Sequence, residues 1–518
     1  MIELTVAQIA DIVGGTLADI SPRDAAQRRV TGTVEFDSRA VGPGGLFLAL
    51  PGARADGHDH AASAVAAGAA AVLAARPVGV PAIVVAPQRC PDQGALAGVL
   101  EHDADGSGAA VLAALAKLAQ AVAAELVAGG LIIIGITGSS GKTSTKDLVA
   151  AVLEPLGEVV APPGSFNNEL GHPWTVLRAG RDTDYLILEM SARHRGNIAA
   201  LAQIATPAIG VVLNVGTAHL GEFGSREAIA RTKSELPQAV PQSGVVILNA
   251  DDPVVTAMAE VTAARVVRVS RARSAADVWA GPVSLDELAR PQFTMHCGDA
   301  AAQVQLGVSG DHQVTNALCA AAVGLECGAT LDQVATALGA AGPVSRHRMQ
   351  VTTRADGVTV IDDAYNANPD SMRAGLQALA WIAHGGSGSG VDRPAKRRSW
   401  AVLGEMAELG ADAIAEHDRI GRLAVRLDVS RLVVVGTGRS MSAMHDAAAL
   451  EGAWGSWGAG ADRGVVNVAD ADAALALLRA EVRSGDVVLI KASNSAGLGT
   501  LADALAADGV GDQGSARP

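Results

Sequence analysis

The sequence predicts an α/β protein of three domains. These are a small N-terminal α/β domain over residues 1–108, a central doubly wound parallel-sheet domain over 109–341, and a C-terminal Rossmann-like α/β domain over 342–518. Three observations lead there. The chain has 518 residues, more than one core holds at roughly 150 residues per domain. Short apolar runs, each ending in a turn, alternate with helical stretches from Leu131 onward, which is the pattern of buried parallel strands. The alternation then restarts after Gly342-Pro343.

Taken in order, Thr5 and Gln8 form a capping box that starts a helix ending at Gly14-Gly15. Strand-like segments follow at Val34–Asp37 and Gly45–Leu50, then an Ala-rich helix over Ala61–Ala69 and strands at Ala70–Leu73 and Ala82–Val85. Asp103–Gly108 reads as a linker, and Ala109–Leu126 as a helix leading into the central domain. There, Leu131–Gly135, Tyr185–Leu188, Ile209–Leu213 and Val245–Leu248 read as buried strands. In the third domain the strands are Val358–Asp362, Trp400–Leu403, Leu432–Val435 and Val487–Lys491. His384–Gly390 reads as a surface loop and the tail after Ala507 as frayed.

Composition narrows the function. Apolar residues make up 49 % and charged residues 18 %, as in a core-rich globular chain. The formal net charge of −14 argues against nucleic acid as a partner, since phosphate neutralisation needs a basic surface. Cys90, Cys297, Cys319 and Cys327 form no C-x-x-C pair, which disfavours zinc sites and a disulfide framework; Cys319 and Cys327 read as buried thiols. No basic-then-apolar leader opens the chain and no run of about 18 apolar residues occurs. A cytoplasmic protein without membrane insertion is expected.

The most informative segment is Thr137-Gly138-Ser139-Ser140-Gly141-Lys142-Thr143-Ser144. A buried strand enters a Gly-rich turn, and Lys142 and Thr143 open a helix. Such a turn lets backbone N–H groups converge on phosphate oxygens, with the helix N-terminus and Lys142 adding positive charge and Thr143 offering a hydroxyl to Mg²⁺. The strict G-x-x-x-x-G-K-S/T spacing needs Gly at 136, where Ile136 stands, so this is a variant ATP loop. A plain Gly-rich turn is disfavoured because strand, loop, Lys-Thr and helix all agree. Lysine is rare here (Lys117, Lys142, Lys146, Lys233, Lys396, Lys491), which marks each as a position where arginine does not serve.

Glu189 closes the strand Tyr185–Leu188 and can reach a loop-bound Mg²⁺; the alternative is a strand-end acid facing water. His219 follows the next strand on the same sheet edge, and Lys233 lies in the helix begun near Ser225. Alone, these read as a turn histidine and an exposed helical lysine.

The loop with Glu189, Ala218-His219 and Thr232-Lys233 resembles the Mur ligases, the ATP-dependent amide-forming enzymes of peptidoglycan synthesis. The branch that adds D-Ala-D-Ala is matched further by Asp37-Ser38-Arg39 with Gly57-His-Asp59, Gly164–Gly171 and Asn249-Ala-Asp-Asp252. Gly310–Asn316, His347-Arg348-Met349, Asp362–Asp370 and Leu403–Gly410 complete the match, which spans nearly the whole chain. The resemblance implies a monomeric ligase with ATP, two Mg²⁺ ions, UDP-MurNAc-tripeptide and D-Ala-D-Ala as partners. It implies Lys142, Glu189, His219 and Lys233 as the catalytic group. Thr143, Glu189, His219 and Lys233 would hold metal, with Lys233 as a carbamate. Asn249, His312 and Asn316 would lie on the adenine side, Arg348 at the phosphates and Asp363 near the ribose. Asp37, Ser38 and Arg39 would take the uridine end, Asn167 and Asn168 the peptide, and Lys491 the substrate. The family commonly carries Lys-Gly-Ser-Arg near the end; here Lys491-Ala-Ser-Asn494 lacks the Arg.

Two other readings remain: the tripeptide ligase of the same family, whose Asp-Asn-Pro-Arg loop does not occur here, and a non-catalytic ATP-binding switch or scaffold.

Overall fold

A computed structural model describes residues 1–53, 55–87, 100–162, 164–216, 220–386, 396–453 and 463–508. The segments at 387–390 and beyond 508, read above as loop and frayed tail, lie outside it, as do His219 and Cys90.

In the N-terminal unit the helix Val6–Val13 starts at the Thr5/Gln8 capping box and stops at Gly14, whose φ of 72° suits glycine. A five-stranded sheet follows in the order Thr16–Ala18, Ala82–Val84, Ala71–Ala74, Leu46–Leu48, Val34–Glu35. All its pairs are parallel except the first. Asp103–Gly108 is not a loose linker. The Asp103 carboxylate is buried and accepts hydrogen bonds from the amides of Gly108 and Ala109 at 2.9 and 2.8 Å, capping the helix Ser107–Ala128. That helix is long and apolar enough to cross a membrane by composition, yet it is a core element. Its apolar face joins the N-terminal sheet to one face of the central sheet in a single hydrophobic cluster.

The central sheet places Ile132–Thr137 between Tyr185–Glu189 and Ile209–Val212, with Val245–Asn249 and Arg265–Ser270 beyond, all parallel. The first four of these strands are largely apolar runs because helices cover both faces, whereas Arg265–Ser270 carries the exposed Arg265 and Arg268. The sequence reading missed the far side, where Val278–Ala280 is followed by the antiparallel hairpin Pro291–Cys297/Ala300–Gln305. Its strands are half-buried and alternate in burial, and the turn is Gly298-Asp299, with Gly298 at φ 55°.

The C-terminal sheet runs Gln350–Thr353, Thr359–Asp363, Val487–Lys491, Ser399–Leu403, Arg431–Val435, Gly464–Val468. Of the two edge strands that went unread, Gln350–Thr353 is short and mostly polar, and Gly464–Val468 is only partly buried. The last strand in sequence sits in the middle of the sheet and sets Lys491 directly beside Asp363. Cys319 is buried, its thiol pushed up to about 12 by burial, whereas Cys327 is only half-buried.

Candidate active site

A cavity of about 630 Å³ lies where the central and C-terminal sheets face each other, and the phosphate loop forms its floor. Gly141 has a φ of 84° and precedes the helix Lys142–Leu153, which no side chain caps. Its first-turn N–H groups therefore face the cavity without intrahelical partners. A Cβ on Gly141 would stand 2.6 Å from Asn316 Oδ1. Asn214, which the sequence reading missed, pins the loop. Its Oδ1 accepts from the amides of Ser139 and Ser140, both at 3.0 Å. Thr137 Oγ1 donates to the Met190 carbonyl at 2.9 Å and fixes the strand end.

Lys142 Nζ donates to the Gly138 carbonyl at 2.8 Å. Burial pushes its ammonium pKa down and Glu189 opposes that shift. Glu189 is fully buried, which removes the reading of a water-facing acid. Its Oε2 accepts from Thr143 Oγ1 and Ser165 Oγ, each at 3.2 Å, and from Asn167 Nδ2 at 3.4 Å. Its Oε1 is buried with no partner among the described residues. A buried carboxylate with one idle oxygen beside a loop threonine hydroxyl fits a hard divalent cation. Ser191 Oγ donates to Asn167 Oδ1 at 2.9 Å and completes this network.

Lys233 ends the helix Arg226–Lys233 and is 5 % exposed, so it is not a surface lysine. Burial first, then the charge of Lys142, push its pKa well below the usual ammonium value.

From the C-terminal domain, Arg348 Nη2 donates to Thr143 Oγ1 at 3.3 Å, and its guanidinium lies 4.2 Å over the Tyr365 ring. Its Nε is buried and has no partner among the described residues. The flanking His347 and Met349 hold φ values of 58° and 49°. Asp363 and Lys491 both line the cavity. They form a buried ion pair at 2.6 Å, and Asp363 Oδ1 also accepts from the Met349 amide at 3.1 Å. The pair thus braces the Arg348 turn from below. Lys146 spans the same junction, donating to the Pro162 carbonyl at 2.6 Å and to Ser345 Oγ at 3.4 Å.

His312 and Asn316 line the cavity; burial lowers the His312 pKa. Asn249 also lines it, but its amide is engaged with the backbone, donating to Leu213 O and accepting from Asp251 N. Asn168 similarly caps Gly171 N at 2.9 Å. Asp37, Ser38 and Arg39 are not brought to this cavity. They form a solvent-facing turn in which Arg39 folds back on Asp37 at 2.7 Å.

Behind Glu189 sits His172, fully buried, with neither ring nitrogen at hydrogen-bonding distance of a partner among the described residues. Burial pulls its pKa from 6.5 to about 4. The unfolded chain therefore takes up a proton below pH 6.5 that the folded chain refuses until about pH 4. Stability should fall by about 3 kcal/mol across that window and be unaffected above it. Thermal melting of His172→Leu against the parent from pH 7 to pH 4 measures this. The variant should show the shallower decline, and equal slopes would refute the assignment.

Three models of Mur ligase domains match the chain: the family's catalytic domain over 32–120, the middle domain over 136–324 and the glutamate ligase domain over 347–494. The chain belongs to the Mur ligase family. Within that family it is 81 % identical over 522 residues, covering 100 % of both chains, to the UDP-N-acetylmuramoyl-tripeptide--D-alanyl-D-alanine ligase of Mycobacterium tuberculosis. The Escherichia coli enzyme of the same name is 33 % identical, with 84 % of this chain and 86 % of that one covered. Among solved structures, MurF from Acinetobacter baumannii superposes with a TM-score of 0.76 at 28 % identity, covering 97 % and 99 %. MurF from Thermotoga maritima in complex with ADP gives 0.70 at 25 %, covering 92 % and 97 %.

Proposed function

We propose that this chain joins D-Ala-D-Ala to UDP-MurNAc-tripeptide at the expense of ATP, giving UDP-MurNAc-pentapeptide, ADP and phosphate. The observation that carries this is the junction at Thr143. There a buried carboxylate from the central domain and a cationic arm from the C-terminal domain converge on the loop that cradles phosphate.

A carboxylate is a poor acyl donor because its oxygen will not leave. Transfer of the γ-phosphoryl group from ATP makes that oxygen a phosphate leaving group. The dipeptide nitrogen attacks the acyl carbon and loses a proton, and the C–O bond to phosphate breaks. The enzyme must hold two anions together through this sequence. Lys142, the first-turn amides and Arg348, with its idle Nε, supply positive groups fixed before the charge develops. His312 and Asn316 line the cavity, Asn316 against Gly141 of the loop, and suit the adenine base. Asn167, tied to Glu189, borders the path of the peptide carboxylate. Asp37, Ser38 and Arg39, on a separate surface, are left to the distant uridine end.

Glu189 and Thr143 would hold Mg²⁺ with ATP, and Glu189, Lys233 and His219 a second ion; bound Mg²⁺ would neutralise phosphate charge. A buried Lys233 ammonium would repel such an ion. Its depressed pKa favours the free amine, which can add CO₂ and lose a proton to become an anionic carbamate. The UDP and ATP substrates support a cytoplasmic enzyme.

Phosphate release with ATP and UDP-MurNAc-tripeptide, with and without D-Ala-D-Ala, tests the reading. Release should depend on the dipeptide. Equal release without it, as for an uncoupled ATPase, or none with it, as for a scaffold, would overturn the assignment.

A further inference from the structure

Resting on the ligase reading above, we infer that Arg193 and Glu408 are the residues that select the zwitterionic ends of the incoming dipeptide. Arg193 takes its carboxylate and Glu408 its ammonium.

The cavity is lined by the cations Lys142, Arg193, Arg271, Arg348 and Lys491. Four have work elsewhere. Lys142 and Arg348 stand at the phosphate loop. Lys491 is locked to Asp363. Arg271 is held in a two-pronged pair with Asp311, both contacts at 2.7 Å. The fifth, Arg193, lines the cavity together with Ser493, Asn494 and Ser495.

Its partner across the cleft is Glu408, with Arg193 Nη2 3.3 Å from Glu408 Oε1. One residue belongs to each domain, and their side chains are 41 % and 35 % exposed, so neither is sealed from a ligand. Glu408 lines the same cavity as Lys142. Both segments are built to hold position. The amides of Arg193 and His194 donate to Asn197 Oδ1 at 3.1 and 2.8 Å. The Glu408 loop is tied down by Ala407 N donating to Ser493 Oγ at 2.9 Å. Glu408 itself holds a φ of 64°, a strained setting for a non-glycine residue that persists only when its surroundings impose it. Just after it, Gly410 packs on Gly221 of the central domain so closely that a Cβ on either would fall within 2.7 Å of the other's backbone. Glu408 is therefore delivered to Arg193 by contact between the domains. A short zwitterion presents the complementary pair, and a neutral or singly charged analogue leaves one of them unmatched.

The experiment uses the full-length enzyme with D-Ala-D-Ala and with D-Ala-D-alaninamide, which keeps the ammonium and lacks the carboxylate. The parent should favour the acid over the amide by about tenfold to a hundredfold in kcat/KM, the worth of a charge-assisted contact. Arg193→Met should bring that ratio to about one by losing the acid, and Arg193→Lys should recover part of it. Glu408→Gln should raise KM for acid and amide alike. KM for ATP reports domain closure separately. The inference is overturned if Arg193→Met lowers turnover of acid and amide equally with a raised KM for ATP, the behaviour of a mere latch, or leaves the acid-to-amide ratio at the parent value. Failure of the ligase reading shows differently, as a parent enzyme whose phosphate release ignores D-Ala-D-Ala.

Discussion

Lys142→Met should reduce dipeptide-dependent phosphate release by at least about a thousandfold while leaving the protein folded. Removing one preorganised donor from a developing oxyanion costs about a hundredfold to a thousandfold, and Lys142 carries a full charge at the phosphate loop. Its ammonium lies against the Gly138 carbonyl, so it is oriented before ATP arrives. Lys142→Arg should not restore the rate, because a planar guanidinium cannot occupy the same point at the loop. Stability separates this from misfolding. Burial disfavours the charged form of Lys142 in the folded state. Its depressed pKa means that the folded state gains as pH rises towards the unfolded value, and removing the charge relieves that cost at neutral pH. The variant should melt no lower than the parent at pH 7. Activity above a tenth of the parent's would show that the phosphates are gripped elsewhere.

The phosphate loop was legible because strand, turn and helix follow one another in the chain. Glu189 was legible as well, being at the carboxyl edge of a neighbouring strand. What escaped depends on strand order. The Asp363–Lys491 pair exists because Val487–Lys491 inserts beside Thr359–Asp363, across more than a hundred residues. Nothing local in either segment announces that pairing. Asn214 escaped because a strand-end asparagine gives no hint that it will pin a loop two strands' worth of chain away. Arg193 and Glu408 pair across two domains, and the Gly221–Gly410 contact joins two glycines far apart in the chain. Lys233 was misread when taken alone because its helix is mostly polar. Only the packed structure shows that its last turn points inward.

Lys233→Ala should lower kcat by about a hundredfold or more without loss of fold, and the parent enzyme should depend on dissolved CO₂. The argument starts from burial. Lys233 is almost wholly enclosed, lies within electrostatic reach of Lys142, and has its pKa driven down mainly by burial. Keeping it as an ammonium there would oppose both its neighbour and any Mg²⁺ at Glu189. As a free amine it is a nucleophile for CO₂, and the product is an anion of the kind a hard cation binds. Depleting bicarbonate from the assay should therefore reduce parent activity, and adding it back should restore the rate. Enzyme equilibrated with ¹³C-bicarbonate should show a carbamate carbonyl resonance that is missing from Lys233→Ala, a readout independent of turnover. Since carbamate forms only from the unprotonated amine, its population should fall as pH is lowered. Full activity in Lys233→Ala, or indifference of the parent to bicarbonate, would leave Lys233 as a buried neutral amine with no part in holding metal.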